Sequence, residues 1–131
     1  MKKSSAGEKK ILVVEDEPAI CDVCWRVLTS KGFEVDTAAN GEVAQDMLGK
    51  KDYDLCLIDI RTPIMNGREL YQCIQEKYPK LANGVMFTTG DVMGGDTQIF
   101  LGQGGKPFLP KPFTPEELKT IVKDTLKRME Q

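Results

Sequence analysis

Three short, unbroken apolar runs, at residues 11–14, 55–58 and 85–87, constrain the architecture most. A strand with one face in water alternates apolar and polar residues, whereas a strand with no polar position has both faces covered. Helical periodicity fills the gaps between the runs. Pro18 suits a first helical turn, and Ile20, Val23, Cys24, Val27 and Leu28 share one helical face before Gly32 stops it. Residues 33–38 alternate with period two, which predicts an edge strand. Asn40 predicts the cap of a helix carrying Val43, Ala44, Met47 and Leu48, and a helix with Leu70, Cys73 and Ile74 ends near Pro79. Pro107, Phe108 and Leu109 form a short strand whose proline belongs at an edge. Thr114, Pro115, Glu116 and Glu117 spell a capping box that opens a final amphipathic helix with Leu118, Ile121, Val122, Leu126 and Met129.

Strand–helix alternation repeated five times implies a parallel sheet covered on both faces. Right-handed crossovers, three central strands and edge-like second and fifth strands predict a doubly wound (βα)5 α/β fold, five parallel strands in the order 2-1-3-4-5. Residues 1–9 read as a solvated tail and residues 10–131 as one domain.

Composition matters mainly through what it excludes. There is no histidine, which removes Ser-His-Asp and Cys-His catalysis, His-ligated zinc and a phosphohistidine carried by this chain itself. Eighteen basic and 20 acidic residues give a net charge of −2, so a basic nucleic-acid footprint is not expected. No apolar run approaches a membrane span, and the first ten residues lack the apolar core of a leader. Four irregularly spaced cysteines point to a reducing, cytoplasmic setting. Cys21 and Cys24 spell C-x-x-C, but Cys24 lies on the apolar stripe, and Cys56 and Cys73 likewise read as core rather than redox groups. Trp25 lies off that stripe, covering a helix edge or marking a partner contact.

In sheets of this kind the site lies beyond the carboxyl ends of the strands. Glu15 and Asp16, then Asp59, then Thr88 and Thr89, then Lys111 stand there in turn. Clustered carboxylates repel one another, and a divalent, oxygen-preferring cation relieves them. A lysine offers a compact charge for a phosphoryl oxygen, and a carboxylate can act as a nucleophile that forms an aspartyl-phosphate. Asp59, alone at the end of a central strand, is the candidate nucleophile.

These residues resemble the receiver domains of response regulators in two-component signalling. The resemblance runs from about Lys10 to Met129. It rests on Val14-Glu15-Asp16-Glu17-Pro18, on Asp59 with Pro63 and Asn66-Gly67, on Thr89-Gly90, and on Lys111-Pro112-Phe113. It implies a flavodoxin-like fold and a phosphoacceptor in a phosphorelay rather than a turnover enzyme. Asp59 would accept a phosphoryl group from a phosphohistidine on a partner histidine kinase or histidine phosphotransfer protein. Glu15, Asp16, Asp59 and the backbone carbonyl of Arg61 would hold Mg2+. Lys111 would bind the phosphoryl group. Thr89, followed by the small Gly90, would be the switch hydroxyl and Phe108 the switch aromatic. Side chains at Arg61 and Asp91 occupy positions that tune phosphoryl lifetime in the family. The output is a changed face built from the fourth helix, fifth strand and final helix, through which a homodimer is also expected. No direct nucleic-acid or membrane partner is implied.

The six glycines between positions 90 and 105 depart from the family pattern and predict a short fourth helix around residues 97–101. The segment 105–113 resembles receivers attached to hybrid histidine kinases, and a stand-alone regulator fits the chain equally. A phosphohydrolase working through an aspartyl-phosphate is the competing enzyme reading. Arg61, where such enzymes place a second aspartate, argues against it.

Overall fold

In the computed structural model, residues 9–90 and 105–130 are described. All but Lys9 of the expected tail (residues 1–9), the expected fourth helix at residues 97–101 and Asp91 lie outside them. Five strands form one parallel sheet: β1 (Lys10–Val14), β2 (Glu34–Ala38), β3 (Leu55–Asp59), β4 (Val85–Thr89) and β5 (Phe108–Pro110). Their order is β2-β1-β3-β4-β5, as the two edge-like patterns predict. The helices among the described residues are α1 (Pro18–Ser30), α2 (Gly41–Leu48), α3 (Gly67–Lys77), the single turn α4 (Pro79–Ala82) and α5 (Pro115–Met129).

The three central strands are buried along their apolar runs, and two cores form, one on each side of the sheet. On one side Leu12, Val14, Cys56, Ile58, Val85 and Phe87 pack under α2 and α3. On the other, Ile11, Val13, Leu55, Leu57 and Met86 pack under α1 and α5. Alternate residues of each strand thus feed opposite cores, which is why no polar position is tolerated. Tyr71 of α3 meets Phe87 edge to face, with ring centroids 5.3 Å apart.

Several boundaries differ from the sequence reading. Phe33 lies outside β2 because its N–H bonds back to the Leu28 carbonyl at the end of α1. β3 starts with the 55–58 run but continues one residue further to Asp59, which pairs with Thr88. β5 runs one residue later than expected: the Pro107 carbonyl accepts from Phe87, and Pro110 at the edge has no donor to satisfy. Val43 is exposed, so Ala44, Leu48 and the half-buried Met47 carry the inner face of α2. Cys73 is half-buried at the margin of α3, where its sulfur accepts from Gln45 Nε2 at 3.2 Å. The capping box at Thr114 and Glu117 is present as expected. A second, Asn66 with Glu69, starts α3; the same spacing was there in the sequence.

Gly67 opens α3 against the end of β3. A Cβ there would lie 2.7 Å from Ile60 Cα, 2.9 Å from Ile58 Cγ2 and 3.0 Å from the Asp59 carbonyl oxygen. Backbone atoms cannot rotate away, so Gly67→Ala is expected to destabilise the domain by about 2 kcal/mol, read from the denaturant midpoint. An unchanged midpoint would show that α3 is free to slide on β3.

Candidate functional site

The carboxyl ends of the strands gather at an open cleft of about 410 Å³, lined among others by Asp16, Asp59, Arg61, Thr89 and Lys111. Each side chain reaches it through its place in the sheet. Glu15 follows β1, its N–H still bonded to the Ala38 carbonyl of β2. Asp59 ends β3 and is 4% exposed. Thr89 ends β4, fully buried. Lys111 follows β5, its N–H bonded to the Thr89 carbonyl, and a cis peptide bond joins it to Pro112. Adjacent threonines point to opposite faces: Thr88 Oγ1 donates to the Leu109 carbonyl at 2.6 Å, while Thr89 lines the cleft.

Lys111 is the hub. Its Nζ lies 2.7 Å from Glu15 Oε1, 2.9 Å from Asp59 Oδ2 and 3.0 Å from Glu17 Oε1. Asp59 Oδ1 accepts from the Arg61 N–H at 3.0 Å, and Glu15 Oε2 accepts from the Glu17 N–H at 3.1 Å. The Glu15 Oε1 contact is close but poorly aligned, so that buried oxygen lacks a well-formed hydrogen bond.

Both Glu15 and Lys111 titrate above their ordinary values, for different reasons. Burial pushes the Glu15 carboxyl from 4.5 up to about 7; its close contact with the Lys111 ammonium opposes this and the Asp59 charge adds to it. Burial works against the Lys111 ammonium, but hydrogen bonds to Glu15, Asp59 and Glu17 outweigh it and hold its pKa above the ordinary range. A carboxyl raised on folding keeps a proton that the unfolded chain releases. Stability of the metal-free protein is therefore expected to fall as pH rises from 4.5 to about 7 and to level off above that. In Glu15→Gln the slope across this window should flatten, as measured by thermal melts; a slope unchanged by the substitution would remove Glu15 as its cause.

Oxygen atoms of Glu15, Glu17 and Asp59 all lie within 4.8 Å of one another. This hard-oxygen donor set, with one buried carboxylate oxygen lacking a well-formed hydrogen bond, fits a divalent cation such as Mg2+. Asp16 stands exposed on the cleft wall, outside that triplet. Glu17, which the sequence motif contains without a role, carries no signal there beyond its place directly after the acidic pair. Phe108 does not line the cleft. It is half-buried, paired with Phe87 in the sheet and packed on the α2–α3 core. Trp25 is half-exposed on α1.

The C-x-x-C pair is not built for redox chemistry. Cys24 is fully buried, and burial pushes its thiol up to about 12. Burial also raises the half-buried Cys21 thiol, which sits 3.2 Å from the Glu15 carbonyl. No helix among the described residues is long and apolar enough to cross a membrane.

Comparison with known proteins places this geometry. A family model described as the response regulator receiver domain matches residues 11–123. The alkaline phosphatase synthesis transcriptional regulatory protein PhoP of Bacillus subtilis is 34% identical over 122 residues, 93% of this chain and 50% of that protein. Response regulator SaeR of Staphylococcus aureus is 32% identical over 122 residues, 92% of this chain and 52% of that protein. The chain thus spans about half the length of these curated relatives. A CheY-like response regulator receiver domain protein from Methanospirillum hungatei superposes with a TM-score of 0.85 at 28% identity, covering 95% of this chain and 98% of that one. The receiver domain of a signal transduction histidine kinase from Syntrophus aciditrophicus gives 0.81 at 26% identity, covering 91% and 90%.

Proposed function

The chain belongs to the response regulator receiver domain family, the phosphoacceptor modules of two-component signalling, and on that premise we propose that Asp59 is the residue phosphorylated. One observation carries this reading. The Asp59 carboxylate ends a central strand and is bonded to the Arg61 N–H through one oxygen and to Lys111 through the other, in a cleft it shares with Thr89.

The donor is a phosphohistidine on a partner histidine kinase or histidine phosphotransfer protein. An Asp59 oxygen forms the new bond to phosphorus, while the old bond to the donor breaks and its electron pair leaves with the donor. The chain's contribution is to position and neutralise. Lys111 binds a phosphoryl oxygen. Thr89 donates its hydroxyl to another, and Phe108, on the neighbouring strand, responds to that movement. Glu15, Asp16, Asp59 and the Arg61 carbonyl would hold Mg2+, which would supply positive charge to balance the negative phosphoryl oxygens. Phosphorylation then shifts a two-state equilibrium toward a form that a downstream partner, or a second copy bound through the β5–α5 face, reads differently. Four free thiols suit a reducing cytoplasm.

Intact mass after incubation with a small acyl phosphate tests the reading. One added phosphoryl group is expected with Mg2+ present and none with chelator. A folded chain that takes up no phosphoryl group and releases no phosphate would overturn it; steady phosphate release would point to hydrolysis.

A further inference from the structure

Glu17 has a contact that none of these roles uses. It stands at the N-cap of α1, yet its side chain makes no capping hydrogen bond. Its Oε1 lies instead 3.0 Å from Lys111 Nζ. Lys111 Nζ donates to Asp59 at 2.9 Å and to Glu17 at 3.0 Å, and Glu15 Oε1 lies against it at 2.7 Å as an ionic contact. Three carboxylates thus crowd the ammonium before any phosphoryl oxygen arrives. A phosphoryl group on Asp59 brings new anionic oxygens to the same nitrogen, and one carboxylate has to give way. The Glu15 and Asp59 side chains are 1% and 6% exposed and fixed by the sheet, whereas Glu17 is 61% exposed. An exposed pair costs little to break, so Glu17 is the one that leaves.

We propose that Glu17 is a positioning residue that acts through Lys111. In the unphosphorylated protein its carboxylate occupies the place on the ammonium that a phosphoryl oxygen takes, and its charge restrains phosphorylation of Asp59. This rests on the reading of Asp59 as the phosphoacceptor. The competing role is ligation of the cation, since Glu17 belongs to the triplet of clustered carboxylates. The two roles differ in sign: a ligand's removal weakens metal binding and slows labelling, whereas removal of a competitor for Lys111 speeds labelling and leaves metal binding nearly unchanged.

The test compares wild type, Glu17→Gln and Glu17→Asp as full chains. Labelling by a small acyl phosphate at saturating Mg2+ is followed by intact mass, at low salt and at about 1 M salt, where the screening length is about 3 Å. Calorimetry gives the Mg2+ affinity of each. Glu17→Gln is expected to label about fivefold faster at low salt, the factor for removing one like charge about 4 Å away in water. That gain should shrink to about 1.5-fold at high salt, Glu17→Asp should stay near wild type, and Mg2+ affinity should change by less than about twofold. A Gln variant that labels no faster than wild type overturns the proposal. So does weakened Mg2+ binding with slower labelling, which assigns Glu17 to the cation. Failure of wild type itself to label overturns the reading of Asp59, and this one with it. A wild type that labels normally beside an unchanged Gln variant overturns this one alone.

Discussion

Asp59→Asn is expected to take up no phosphoryl group from a small acyl phosphate under conditions where wild type gains one. The amide keeps the shape of the carboxylate and can still accept from the Arg61 N–H, which bonds Asp59 Oδ1 at 3.0 Å, so the fold should survive. It lacks the anionic oxygen that attacks phosphorus, and nucleophilic catalysis depends on that oxygen. The substitution also removes one of the carboxylates crowded around Lys111. Two further results follow from Coulomb's law: weaker Mg2+ binding, and a metal-free protein no less stable than wild type at neutral pH. Intact mass, calorimetry and thermal melts read the three. A phosphoryl adduct on the Asn variant would move the phosphoacceptor to another residue.

The second large effect is at Lys111. Lys111→Met keeps most of the aliphatic stem and deletes the ammonium that balances Glu15 and Asp59, whose side chains are 1% and 6% exposed. Removing one partner of a buried ion pair typically costs about 3–5 kcal/mol, because the remaining charge is left without compensation. The variant should therefore be destabilised by about that much at pH 8 with chelator present. Two conditions should restore part of the loss: Mg2+, which replaces the missing charge, and mild acid, which protonates the Glu15 carboxyl. Labelling should slow by about 10²- to 10³-fold, the usual cost of deleting one preorganised electrostatic contact to a transferring group. A variant as stable as wild type in chelator would mean that water, rather than Lys111, compensates these carboxylates.

Both predictions concern residues that are legible in the sequence. Asp59, Thr89 and Lys111 each stand at the end of an apolar run, and a parallel sheet brings all such ends to one rim. The motif that resembled a receiver domain added roles to those positions. Choosing Thr89 over Thr88 needed that resemblance, and the sheet supplies a physical reason beside it: the Thr88 hydroxyl is bonded to the Leu109 carbonyl, on the opposite face from the cleft. Less of the detail around the rim was legible. Exposed Val43 matched a helical period as well as Ala44 did, because an eight-residue helix offers too few turns to define its inner face. The half-buried Cys73 misled in the same way, since periodicity does not distinguish the middle of an apolar stripe from its margin.

The sequence by itself determined the layered α/β architecture, the strand order and the positions that meet at the carboxyl edge. These follow from the period of the apolar residues and from the handedness of crossovers, both local properties of the chain. Only the tertiary structure decided how the charges at that edge are shared. Glu15, Asp16 and Glu17 are consecutive and all acidic, yet one is buried, one lines the cleft wall, and one reaches out to an ammonium 94 residues further along the chain. Which does which depends on packing from β2, β5 and α1. Electrostatic partnership is a matter of distance and burial in space, and spacing along a chain does not carry it.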